Sequence, residues 1–193
     1  MTTKMKTTAN KTTNSRKSAE PVKLQPNPFQ HEILELASKQ RTAQKKVEIL
    51  QEYRNDALVS ILIWNFDESV ISILPEGDVP YSGVQEQTSG NDTLSGSIEK
   101  QLNTSSKVDE RTSAQRTSLR KEAHIFYNFI RGGNDTLPKI RRETMFINLL
   151  EGLHPLEAEI LILTKDKRLT DKYKITHQVV KDAYPDIQWG GRS

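Results

Sequence analysis

The chain has 193 residues, no cysteine, 34% hydrophobic and 27% charged residues, and a formal charge of +3. Disulfides, thiolate chemistry and cysteine-based zinc sites are therefore excluded. With no run of about 18 apolar residues, so is a membrane-spanning helix. The length suits a single domain.

Residues 1–25 read as a disordered basic arm. Up to position 23, six Lys and Arg stand against the one acidic residue Glu20, and Thr, Lys, Asn and Ser dominate. Such a composition buries too little apolar surface to offset an ordering cost of about 1–2 kcal/mol per residue. The arm has no apolar stretch of the kind a secretory signal needs. Lys4, Lys6, Lys11, Arg16 and Lys17 are its candidate nucleic-acid contacts. No aromatic residue lies among them for base stacking, so any contact with DNA or RNA is expected to be nonspecific and salt-sensitive.

Residues 26–81 read as the N-terminal helical half of a core. Pro26 and Pro28 open it, and Phe29, Ile33, Leu34, Leu36 and Ala37 follow at helical spacing. Thr42 starts a second helix with Ala43, Val47, Ile49 and Leu50 on its apolar side. A third helix is expected from Asp56, a good N-cap residue. It carries Leu58, Val59, Ile61, Leu62, Ile63, Trp64 and Phe66. Being apolar nearly all round, it is the expected central element. Val70, Ile71, Ser72, Ile73 and Leu74 fit a helical turn or a short strand, ended by Pro75 and Gly77.

Residues 82–118 are rich in Ser, Thr, Gly, Gln and Asn and read as a flexible insert. The C-terminal helical half is assigned to 119–188. Its first helix places Ala123, Phe126, Tyr127 and Ile130 on one face and stops at Gly132-Gly133. Asn134-Asp135-Thr136 is expected to cap the next helix, with Pro138 in its first turn and Ile140, Met145, Phe146, Leu149, Leu150 and Leu153 facing inward. Pro155 begins a helix carrying Leu156, Ala158, Ile160, Leu161 and Leu163. A charged loop spans 165–174. Thr176 caps a last helix with Val179, Val180, Ala183 and Tyr184, and Pro185 ends it. Residues 189–193 are a short tail. The expected fold class is all-α: about seven short helices whose two halves share one core, because each half alone is too small to be stable. Trp64, Phe66, Phe126 and Phe129 are the aromatic residues expected to join the halves.

Four histidines invite metal or acid–base readings, yet no two of His31, His124, His154 and His177 stand at i,i+3 or i,i+4. We read His154 as a helix cap and the other three as surface or edge residues. Glu157 and Glu159 near His154 fit the first turn of a helix, where the dipole favours carboxylates. The Gly132-Gly133 turn follows a helix and lacks the Lys and Ser/Thr of a phosphate loop. Lys139, Arg141 and Arg142, with Arg131 upstream, form a basic cluster at a helix start, against the dipole, and are candidate nucleic-acid contacts. Lys165, Lys167 and Arg168 form a second cluster, read as a solvated face because Asp166 and Asp171 interleave with it.

Two sets of motifs carry a resemblance. One is Asn65-Phe66-Asp67 with Leu74-Pro75-Glu76-Gly77 and Pro80-Tyr81. The other is Phe126-Tyr127-x-Phe129-x-x-Gly132-Gly133, then Arg142-Glu143-x-x-Phe146-Ile147-x-Leu149-Leu150-Glu151, Pro155-x-Glu157-Ala158 and Lys165-Asp166-Lys167. Together they resemble an uncharacterised protein family of tailed myoviruses infecting marine cyanobacteria and other marine bacteria. The resemblance spans residues 29–81 and 119–188, with the arm and the 82–118 insert as departures from a shorter family core. It implies a phage origin and the host cytoplasm as the location, and it transfers no functional residue.

The expected function is a nonenzymatic helical adaptor or accessory protein that binds a phage or bacterial host protein. It is expected to have no cofactor, no metal, no small-molecule substrate and no membrane contact, with weak DNA or RNA contact through the arm. The alternative is a minor component of the virion. A hydrolase or nuclease would need several of Glu151, Glu157, Glu159, Asp166 and Asp171 to converge in one cleft.

Overall fold

The computed structural model describes residues 23–80 and 117–191. The expected disorder of the arm up to residue 22 and of residues 82–116 lies outside the described residues, as do Lys4, Lys6, Lys11, Arg16 and Lys17.

The described residues are mostly helical, as the periodicity predicts. In chain order they form α1 (Gln30–Ser38), α2 (Ala43–Glu52), α3 (Asp56–Phe66), α4 (Leu119–Glu122), a 3-10 helix (Ala123–Phe129), α5 (Lys139–Gly152), α6 (Pro155–Lys165), α7 (Leu169–Lys172) and α8 (His177–Ala183). Local side-chain chemistry sets most starts. Thr42 accepts from the Lys45 amide at 3.4 Å, and Thr176 from the Val179 amide at 3.5 Å. The cap of α3 is Asn55, which accepts from the Leu58 amide at 3.0 Å; Asp56, the expected cap, occupies the first turn instead. Both residues suit a helix start, and the one whose backbone is extended becomes the cap.

One contiguous hydrophobic cluster draws on both halves of the chain. From α3 come Ala57, Leu58, Ile61, Leu62 and Trp64, all buried. The second central element is α6, which packs against α1, α3, α5 and α7. Its Ala158, Ile160 and Leu161 are fully buried, and so close is the packing that Glu157, Glu159, Thr164 and Lys165 are buried as well. Trp64 bridges the halves, with its ring 5.9 Å from Phe126 and 6.3 Å from Phe129, while Phe129 meets Phe146 edge-on at 5.1 Å. Phe66 is not part of this group; its ring stacks on His177 at 5.7 Å. His177 in turn meets Trp189 edge-on at 4.4 Å, and the Gly190 amide donates to Asp67 at 3.0 Å, so the tail is pinned as far as residue 190. The inner ends of the arm and the insert are pinned too. The Leu24 amide donates to the Tyr53 hydroxyl at 3.1 Å, and the Thr117 amide to the Gly152 carbonyl at 3.0 Å.

Residues 119–137 depart most from the sequence pattern. The expected single helix is a four-residue α-turn followed by a 3-10 helix, and Ile130 is extended. Segment 70–74 is extended as well. Ile73 donates to the Phe129 carbonyl at 3.0 Å and Arg131 to the Ile71 carbonyl at 2.9 Å, around an antiparallel bridge between Ser72 and Ile130. Phe126 and Phe129 are buried, as expected of the aromatics that join the halves, whereas the tighter winding leaves Tyr127, expected on the inner face, half exposed. The turn after it depends on two glycines. Gly132 takes φ +79°, and a Cβ on Gly133 would stand 1.9 Å from the Tyr127 carbonyl oxygen. Asn134-Asp135-Thr136 does not cap α5; Pro138 holds that position. These residues close the turn instead, with Asp135 accepting from the Gly132 amide at 3.0 Å and Asn134 donating to Asn128 at 2.8 Å.

Candidate functional site

The basic cluster at the start of α5 splits in two. Arg142 is buried and faces inward. Its Nε donates to the Asn128 carbonyl at 2.8 Å, and Nη2 to the Asn134 and Leu137 carbonyls, both at 2.9 Å. It therefore fastens the 3-10 helix and the following turn to α5, and as a nucleic-acid contact it is corrected: the side chain is buried, with Nε and Nη2 committed to three backbone carbonyls. Lys139 and Arg141 remain exposed, with Lys139 3.8 Å from Glu143 one turn on.

Between them stands Ile140, expected in the core and found 78% exposed, the most exposed large apolar side chain among the described residues. The reason lies two residues further along. Holding Arg142 inward turns the side chain two positions back, about 200° around the helix, toward solvent. Ile147 follows seven residues later on the same face of the helix and lines a groove of about 150 Å³ between α5 and residues 74–80. Leu74, Pro75, Val79, Pro80 and Phe146 supply the rest of its apolar wall, and Glu143, Asp78 and Lys165 stand at its polar side. The groove is smaller than the roughly 300–1,000 Å³ of pockets that enclose small molecules; its size suits one or two apolar side chains.

The second basic cluster is structural. Lys165 is buried and donates to the Pro75 carbonyl at 2.7 Å, the Gly77 carbonyl at 3.2 Å and the Asp166 carboxylate, while Asp166 accepts from the Gly77 amide at 3.3 Å. Lys167 takes the left-handed conformation (φ 56°) that closes α6, with its amide on the Thr164 carbonyl and that of Arg168 on the Leu163 carbonyl. Glycine is usual at such a position. Lysine is used here because its ammonium reaches the Asp67 carbonyl at 2.7 Å. Motifs that lie far apart in the sequence thus meet in space: Leu74-Pro75-Glu76-Gly77 against Lys165-Asp166, and Asp67 against Lys167. Exchanging Lys165 for Met is expected to lower stability by about 2–3 kcal/mol, since two carbonyls and a carboxylate lose the ammonium they share. Urea denaturation measures it.

Glu157, Glu159, Asp166 and Asp171 are each engaged with different partners. Glu157 is fully buried and accepts from the Gln30 amide at 3.0 Å and the Leu119 amide at 2.9 Å, the first residues of α1 and α4. Burial pushes its carboxyl above the ordinary carboxylate range, while the two amides pull it back. Glu159 pairs with Lys172, and Asp171 with Arg168 at 2.8 Å. Among the described residues no group of three or more His, Asp or Glu is arranged to hold a metal ion, and no helix is long and apolar enough to cross a membrane.

One histidine reading, that of His31, is corrected. His154 does cap α6, its Nδ1 accepting from the Leu156 amide at 3.3 Å, but His31 is buried against it with ring centroids 5.0 Å apart. His177 is wedged between Phe66 and Trp189. His124 is exposed, as expected. The clue to His31 is faint: it lies within the apolar series that starts at Phe29, at a position a surface histidine equally occupies.

No curated protein and no solved structure matches the chain. A family model described as a family of unknown function, DUF6433, matches residues 33–104 and 103–171. The arm lies before the matched residues, and the join between the two matched segments falls inside 82–118. With well over half of its length matched, the chain belongs to DUF6433, a family of unknown function.

Proposed function

We propose that this protein is a nonenzymatic helical adaptor that binds another protein through the outer face of α5. The observation that carries the reading is Ile140. Ile140 is 78% exposed at the start of α5 and shares its helix face with Ile147, which lines the apolar groove, so the two offer apolar surface along one side of the helix. Arg142 fixes its direction, Lys139 and Arg141 flank it, and Ile147 leads from it to a groove that suits an incoming apolar side chain. An apolar side chain beside an arginine and next to a groove offers a partner both an anchor and a pocket for its own side chain. The motif resemblance supports a phage protein acting on a phage or host partner in the host cytoplasm, and the basic arm supports a loose, nonspecific contact with DNA or RNA.

Pull-down from infected cells, with and without nuclease, tests the reading. The wild-type chain is expected to recover a nuclease-resistant partner, and Ile140→Glu to lower the recovery at least about tenfold, the effect of an anchor worth more than 1.4 kcal/mol. Because Ile140 is exposed, its replacement leaves stability within about 0.5 kcal/mol of wild type. Undiminished recovery with the variant, or no partner at all, overturns the proposal. Mass spectrometry of purified particles separates it from a virion role.

A further inference from the structure

We propose that the stacked His31–His154 pair, with Phe29 packed against both rings, is an acid-sensitive joint that holds the start of α1 against the start of α6 only while both imidazoles are neutral. The rings lie 5.0 Å apart and 10° from parallel, and Phe29 stacks on His31 at 5.6 Å and on His154 at 5.8 Å. Three physical consequences of protonation point the same way. First, two stacked cations would face each other at that distance in a largely buried site, where water screens them poorly. Second, His31 is the second residue of α1 and His154 is the cap of α6, so each new charge would sit at the positive end of a helix dipole. Third, His154 Nδ1 accepts the Leu156 amide, and a protonated ring has no lone pair left for that bond. His31 Nδ1 is buried with no hydrogen-bond partner among the described residues, so no acceptor there favours a protonated ring.

The charged surroundings are mixed. Glu32 and Glu35 on α1 favour protonation and Lys172 on α7 opposes it. Glu159 of α6 is engaged with Lys172, Glu157 of α6 with the Gln30 and Leu119 amides, and Arg120 of α4 with the Pro28 carbonyl. Burial decides the balance. It depresses both imidazoles, that of His31 from the ordinary 6.5 to about 4.

The unfolded chain therefore takes up protons that the folded chain refuses. Stability is complete above the ordinary histidine value and is lost as the pH falls from about 6.5 toward 4. For His31 alone the folding equilibrium shifts by up to about 300-fold across that window.

Amide exchange of the full chain, followed helix by helix from pH 7.5 to 4.5 and corrected for intrinsic rates, tests the joint. The amides of α1 are expected to lose protection before those of α8. His31→Phe, which keeps the stack, and His154→Asn, which keeps a cap, are each expected to move that loss to lower pH by half a unit or more. An α1 transition unchanged in both variants, or protection lost simultaneously in α1 and α8, overturns the proposal.

Discussion

Replacing Glu157 with Ala is expected to lower stability by about 3–5 kcal/mol, because two buried backbone amides lose their acceptor at once and a cavity opens beside them. The position of this carboxylate explains the size of the effect. It stands in the first turn of α6 and takes the first amide of α1 and the first amide of α4. Gln30, whose amide it accepts, also exchanges side-chain hydrogen bonds with Asn55, the cap of α3, at 3.1 and 3.3 Å. The starts of α1 and α4 thus donate directly to one buried acid in the first turn of α6, and the start of α3 is tied to them through Gln30 and Asn55. Glu157→Gln separates the causes. The amide keeps one acceptor but turns an NH₂ toward the second backbone donor, so a loss of about 1–2 kcal/mol is expected. The pH dependence supplies a further check. Because burial raises the carboxyl, the folded chain holds its proton more readily than the unfolded chain, and stability falls as the pH rises from the ordinary carboxylate range through the raised value. The glutamine variant lacks that slope. Chemical denaturation at several pH values measures both effects; equal stabilities for wild type and the alanine variant would refute the convergence argument.

The second large effect is expected at Arg142. Its removal in Arg142→Ala leaves the Asn128, Asn134 and Leu137 carbonyls without their shared donor, at a cost of about 3–4 kcal/mol. Lysine recovers only part of this, since an ammonium is a point charge and cannot span carbonyls nine residues apart in the chain as the planar guanidinium does. Arg142→Lys is expected to lose about 2 kcal/mol. The damage reaches the proposed binding face, because Arg142 sets the angle at which Lys139, Ile140 and Arg141 leave the helix start. Partner recovery is therefore expected to fall in Arg142→Ala although no exposed atom of that face has been changed. Thermal denaturation together with the pull-down described for Ile140 distinguishes this from a simple loss of folded protein, provided recovery is normalised to the folded fraction.

Helices are largely legible in this sequence because their causes are local. The 3.6 spacing from Ile33 to Ala37, the caps Thr42 and Thr176, Pro155 at the first turn of α6 and the glycines at 132–133 all act within a few residues, and the structure places helix boundaries close to where they indicate. Where local signals compete, tertiary packing chooses. The run from Leu119 to Ile130 carries a passable helical stripe, yet pairing of 129–131 with 71–73 draws the chain into a 3-10 helix and an extended turn, and Tyr127 is left outside the core.

What the amino-acid order determined alone was the helical class, most of the segment boundaries and the exclusion of thiol chemistry. What only the folded chain decided was the fate of the charged and imidazole groups. Glu157 and Arg142 look like surface residues of helices, and Lys165 like the start of a charged loop, until partners up to 127 positions away bury them. Ile140 looks like core until the inward turn of Arg142 expels it. The physical reason is common to all four. Apolar periodicity is a property of one helix, whereas burying a charge requires hydrogen-bond partners from other helices, and those are present only once the helices have met.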